Sequence, residues 1–149
     1  MADETDVLLS FCEEEWIQAR QIENQRAAIT NIVLVVASAI LGLLSQKGLV
    51  IAMLPATAFL FVLGVYGALT SQKYYERHAF HIERARAWRN RIEELLPGSQ
   101  INSVREAANK RHSKKFKRLE RIHLHTLWLF LHVAVALLGI VLSVVILLA

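Results

Sequence analysis

Apolar residues are gathered into three long runs rather than spread along the chain. The first covers residues 27–44, the second 49–70, and the third lies within 123–149. A helix of about twenty apolar residues crosses a hydrocarbon core of roughly 30 Å, so each run predicts a membrane span. Only Thr30, Asn31 and Ser38 interrupt the first. Ser45-Gln46-Lys47-Gly48 joins it to the second and is short enough to predict a tight antiparallel hairpin. Pro55 lies inside the second run. Because proline removes a backbone donor, it is expected to kink that helix or to mark its first turns.

The flanking segments carry helical periodicity. Leu9, Cys12, Trp16 and Ala19 are spaced three, four and three apart, which predicts an amphipathic helix over 3–26 with these four on its apolar face. Beyond the second span, Tyr74, His78, Ile82, Ala85, Trp88, Ile92 and Leu95 recur at the same spacings. They predict a helix continuing over 70–96 with a buried stripe. Pro97-Gly98 is expected to end it, and Ser103-Val104-Arg105-Glu106 reads as a capping box opening the next helix. No further proline follows and the one glycine is Gly139, so a single helix of about forty-seven residues is expected to run from here into the third span.

Charge sharpens this division. Residues 72–122 hold fourteen of the seventeen Lys and Arg, against six Glu and no Asp, whereas residues 1–26 carry seven acids and two Arg. The acidic helix with its Glu13-Glu14-Glu15 run is therefore either a solvated face or a partner for the basic segment. Sixteen of the Lys and Arg fall on one side of the hairpin, with Lys47 alone opposite. The excess of positive charge places 1–26 and 72–122 in the cytoplasm and the C-terminus outside. The N-terminus lacks the basic region of a cleaved signal peptide, and the lone Cys12 excludes an intramolecular disulfide. The expected fold class is an all-α membrane protein of the cell inner membrane. It has three transmembrane helices (N-in, C-out), an N-terminal amphipathic helix, and a basic cytoplasmic helical hairpin between the second and third spans.

Catalytic motifs are missing: the sequence holds no HExxH, CxxC, P-loop, GxGxxG or GxSxG, and no acid lies inside a span. An enzyme is not expected, nor a cofactor. His78 and His81, or His112 with His123 and His125, lack the Cys or acid that would complete a metal-binding set. Polar residues inside the spans are more informative. Asn31, Ser38, Gly42 and Ser45 share one face of the first span, and His125, His132, Ala136, Gly139 and Ser143 one face of the third. Ser38/Gly42 and Gly139/Ser143 are small-residue pairs that permit close helix approach. These faces are helix contacts, or they line a polar pore. Asn31, Ser38, Ser45 and His132 are the pore-lining candidates, since an amide or imidazole facing lipid is costly. Three spans are too few to enclose a channel, so a pore requires a homo-oligomer.

Two sets of bases are candidates for phosphate recognition. Arg77, Arg84 and Arg91 line one face of the helix after the second span, and Lys110, Arg111, Lys114, Lys115, Lys117 and Arg118 form the densest basic run. The run by itself suits an anionic lipid surface. Both sets together, presented by several copies, suit a cyclic nucleotide or an oligonucleotide.

The order IENQRAAITNIVLVVASAILGLL, tight turn, SQKYYERHAFHIERARAWRNRIEELLP resembles the SLATT-type effectors of bacterial anti-phage systems. The resemblance covers roughly residues 1–97, and the third span departs from the two-span plan. It implies a membrane-disrupting channel gated by a nucleotide signal or a companion signalling enzyme. The competing expectation is a non-conducting anchor or scaffold whose basic helices recruit an acidic partner or anionic lipid.

Overall fold

The computed structural model describes residues 3–96 and 98–149. Among them the regular structure is entirely helical: α1 (Glu4–Lys47), a 3₁₀ turn Ile51–Met53, α2 (Leu54–Leu95), α3 (Ile101–Lys115), a second 3₁₀ turn Leu119–Arg121, and α4 (Leu124–Leu148). Three stretches, Glu4–Lys47, Ile51–Leu95 and Leu124–Leu148, are long and apolar enough to cross a membrane.

Helix α1 is unbroken over 44 residues, with no boundary at residue 26. No proline interrupts it, and at 1.5 Å per residue it is about 66 Å long. Glu4 and Asp6 in the first turn and Lys47 in the last match the helix dipole. The Asp3 carbonyl accepts the first two amides, from Asp6 and Val7, at 3.0 and 3.2 Å. At the other end the Gly48 amide donates to the Leu44 carbonyl at 2.9 Å. Gly48 has φ +77°, a left-handed stop that side chains resist. Pro55 falls in the first turn of α2, where its missing N–H has no helical partner to lose; it marks the start of the helix.

Two further expectations are corrected. Ser103 does not cap α3: the helix begins at Ile101 behind Gln100, which has φ +50°, and the Ser103 hydroxyl donates back to the Gln100 carbonyl. Nor does one helix run from there into the third span. α3 stops at Lys115, and Ile122 is extended before α4. No breaker marks the spot. Lys110/Lys114, Arg111/Lys115 and Lys114/Arg118 are like charges four apart, which oppose one another along a continuous helix. Pro97 lies outside the described residues; α2 ends at Leu95.

The chain divides into two compact units. One contains Asn24–Tyr74 and Leu124–Ala149. Val33, Ala37, Ile40 and Leu44 of α1 meet Leu60 of α2 and Val135 of α4, flanked by Ile29, Met53, Leu63 and Leu142. The other contains α1 up to Glu23 and Tyr75–His123. There α1 pairs with α2 in the opposite chain direction, Phe11 against Trp88 (5.6 Å between rings) and the Cys12 thiol toward the Ala85 carbonyl (3.6 Å). The expected stripe on α2 is present: Ala85 and Ile92 are buried and Tyr74, His78, Ile82, Trp88 and Leu95 half-buried. The expected face of α1 is half right: Ala19 is buried and Cys12 half-buried, but Leu9 and Trp16 are exposed, and Leu8, Glu15 and Ile22 are buried instead.

Candidate functional site

The burial of Glu15 has an electrostatic cause. Its side chain turns inward because α2 meets it with two donors. The His81 Nδ1 proton is given to one carboxylate oxygen at 2.6 Å, and the Arg84 guanidinium lies 3.0 Å from the other. Both bonds involve charge and are stronger than neutral ones. One turn away His78 Nδ1 donates to the Ala19 carbonyl at 3.2 Å, with a Glu23 carboxylate oxygen at 3.6 Å. Toward the helix start, Arg91 spans Glu4 at 3.6 Å and Glu94 of its own helix at 2.9 Å. These carboxylates, led by the Glu94 hydrogen bond, raise the Arg91 pKa above its ordinary value. The acidic helix does pack on basic partners.

This ladder redistributes the candidate phosphate ligands. Arg84 and Arg91, read as part of an open line, are held by Glu15 and Glu4. Arg77 is exposed and stacks over the Phe80 ring at 5.7 Å, with Arg84 over the same ring at 5.3 Å. Arg89 has its pKa lowered, first by burial and then by the neighbouring Arg105 charge. By contrast, Lys110, Arg111, Lys114, Lys115, Lys117 and Arg118 are all exposed. Among the described residues none of the six has a carboxylate within ion-pairing distance. Lys115 rests its ammonium over the Phe116 ring at 5.3 Å.

The second unit carries a buried polar cluster. Thr30 donates to the Arg26 carbonyl at 3.0 Å, which leaves its oxygen free to accept from His132 Nε2 at 3.1 Å. That arrangement places the imidazole proton on Nε2, since a hydroxyl has one proton to give. His132 is 1% exposed, so it lies inside the helix packing rather than on an open face. Its Nδ1 edge faces Gly67, where an added Cβ would stand 2.8 Å from Cε1 and 2.9 Å from Cγ. Arg26, 2% exposed, lies over the Trp128 ring at 5.3 Å. Lower in the bundle Ser143 shares its proton between the Gly139 carbonyl and the Thr57 hydroxyl, both at 2.8 Å. The Gly139/Ser143 pair therefore serves helix contact.

Asn31, Ser38 and Ser45 are placed differently. All three are exposed, as is Gly42, where an added Cβ would meet nothing within 4 Å. They turn away from the buried Val33, Ala37, Ile40 and Leu44. They also belong to a longer row. Ser10, Ile17, Asn24, Asn31, Ser38 and Ser45 recur at intervals of seven, and every one is exposed. Arg26 and Thr30 were not among the expected site residues. A charged side chain abutting a span, and a hydroxyl four residues later, were the signals available.

Among the described residues these features define an all-helical fold with three membrane-length helices, a buried polar cluster, and a ladder of charge pairs between α1 and α2. No protein-family model, no curated protein and no solved structure matches it.

Proposed function

We propose that the chain is one subunit of a homo-oligomeric channel of the inner membrane, with its N-terminus and residues 72–122 in the cytoplasm, controlled at that face. The exposed row on α1 carries this reading. An amide left against hydrocarbon without a partner costs a few kcal/mol on transfer scales. The same cost disappears where a second copy or a file of water meets Asn31. Each protomer is filled at its centre by Val33, Leu60 and Val135, so the conducting path runs between copies, past Asn31, Ser38 and Ser45. His132 supports that wall from behind, through Thr30 on the same helix.

Control falls to the charge ladder. A phosphate-rich ligand, such as a cyclic nucleotide or short oligonucleotide from a companion signalling enzyme, competes with Glu15 and Glu4 for Arg84 and Arg91. Such a ligand shifts the channel only by binding its open and closed states unequally. The resemblance to SLATT-type effectors extends this to a role in stopping the growth of infected cells.

The test is ion flux through liposomes carrying the purified protein. Asn31→Leu is expected to abolish flux while cross-linking still captures oligomers. Full flux in that variant removes Asn31 from the path. Complete absence of flux in the parent protein, with insertion verified, replaces the channel by the non-conducting anchor.

A further inference from the structure

Residues 106–122 form a largely exposed stretch. Every one is exposed except Ser113, which is half-buried and donates to Glu120 at 2.7 Å. Part of this stretch is nonetheless helix, since α3 runs to Lys115. Isolated helices of this length are marginal in water, and like charges along one make it worse. A surface with these properties is one that something outside the chain covers.

Three observations identify what covers it. The first is charge: between residues 106 and 122 there are seven Lys and Arg and two Glu, and one of those Glu is engaged by Ser113. The second is apolar surface interleaved with that charge. Phe116, Leu119 and Ile122 are all exposed, Phe116 within the densest bases and the other two just after them. The third is position in the chain. Leu124 begins α4, a helix of membrane length, so Arg118 is tethered within about 20 Å of it even when the five intervening residues are extended.

We infer that residues 110–122 lie on the membrane surface and bind anionic phospholipid headgroups. The six bases from Lys110 to Arg118 meet the phosphates, and Phe116, Leu119 and Ile122 enter the headgroup boundary. Basic and large apolar side chains on one short segment are the composition of an interfacial anchor. The break at Phe116–Ile122 lets the segment leave the direction of α4 and lie flat. A soluble polyanion would use the bases and leave the three apolar side chains in water. The inference stands whether or not the protein conducts, because the readout below is depth in lipid and not flux.

The experiment uses the full chain in nanodiscs, with Cys12→Ser and Leu119→Cys and an environment-sensitive fluorophore on the new thiol. Discs contain phosphatidylcholine alone or phosphatidylcholine with phosphatidylglycerol. The expected result is quenching of the label by spin-labelled lipid in the anionic discs only. It is lost at 1 M salt, where the screening length falls to about 3 Å. Changing Lys114, Lys115, Lys117 and Arg118 to Gln is expected to lower the lipid-bound ratio about fivefold per residue, with helix content by circular dichroism unchanged. Equal quenching in both lipids, or none in either, overturns the inference. So does a label that responds to a short oligonucleotide in neutral discs and ignores phosphatidylglycerol.

Discussion

Glu15 and Arg84 form one ion pair but are not equivalent in it. The Glu15 side chain is 8% exposed and Arg84 48% exposed. Removing the arginine therefore strands a buried carboxylate, whereas removing the carboxylate returns a half-exposed guanidinium to water. Arg84→Met leaves Glu15 with the 2.6 Å bond from His81 as its remaining partner. Breaking a fully buried pair costs about 3–5 kcal/mol; with one partner half in water the expected cost is about 2–3 kcal/mol. Glu15→Gln keeps the shape and an acceptor for His81, and loses only the charge assistance, about 1 kcal/mol. Hydrogen exchange of the backbone amides in 8–19 and 78–92 reads these values as local opening free energies. Exchange is expected to accelerate more than tenfold in Arg84→Met and about fivefold in Glu15→Gln. The double variant is expected to cost less than the sum, because once the charge is gone the arginine has less to satisfy. A larger effect for Glu15→Gln than for Arg84→Met, or strict additivity, refutes the asymmetry.

The polar cluster in the second unit yields two more expectations. Thr30→Val removes the acceptor for His132 Nε2 and leaves a buried donor unmade, at a cost of about 1–3 kcal/mol; denaturation by sodium dodecyl sulfate in mixed micelles measures it. Gly67→Ala puts a Cβ into the imidazole ring and forces α2 and α4 apart, for about 1–3 kcal/mol by overpacking. The same titration checks it, and Gly42→Ala, at an open position, serves as the neutral control.

Much of this architecture is legible in the sequence because it depends on local order. The apolar runs mark the three membrane-length helices, and the spacing of Ala85, Trp88 and Ile92 marks the inner stripe of α2. Pro55 is compatible with a helix start and is found there. What is not legible depends on partners distant in the chain. Glu15 counts as polar in any reading of α1, and only His81 and Arg84, more than sixty residues on, make its burial favourable. That is why Leu9 and Trp16 looked inward and lie outward. The same blindness made Arg84 and Arg91 resemble an open phosphate line. The end of α3 carries neither proline nor glycine; like charges four apart disfavour its continuation, and no single residue announces the stop. His132 was legible as a costly side chain, while its partner Thr30 is set by how α1 and α4 pack.

The seven-residue row on α1 has a geometric consequence. A straight α-helix has 3.6 residues per turn, so a repeat of seven falls behind by about 20° in each heptad. Five heptads separate Ser10 from Ser45, and the ends of the row thus point about 100° apart. A neighbour lying straight alongside α1 meets only part of it. To follow the whole row, a neighbouring helix has to wind around α1 with a left-handed twist. If the helices stay straight, a neighbour meets one end of the row, and the other end faces about 100° away around α1.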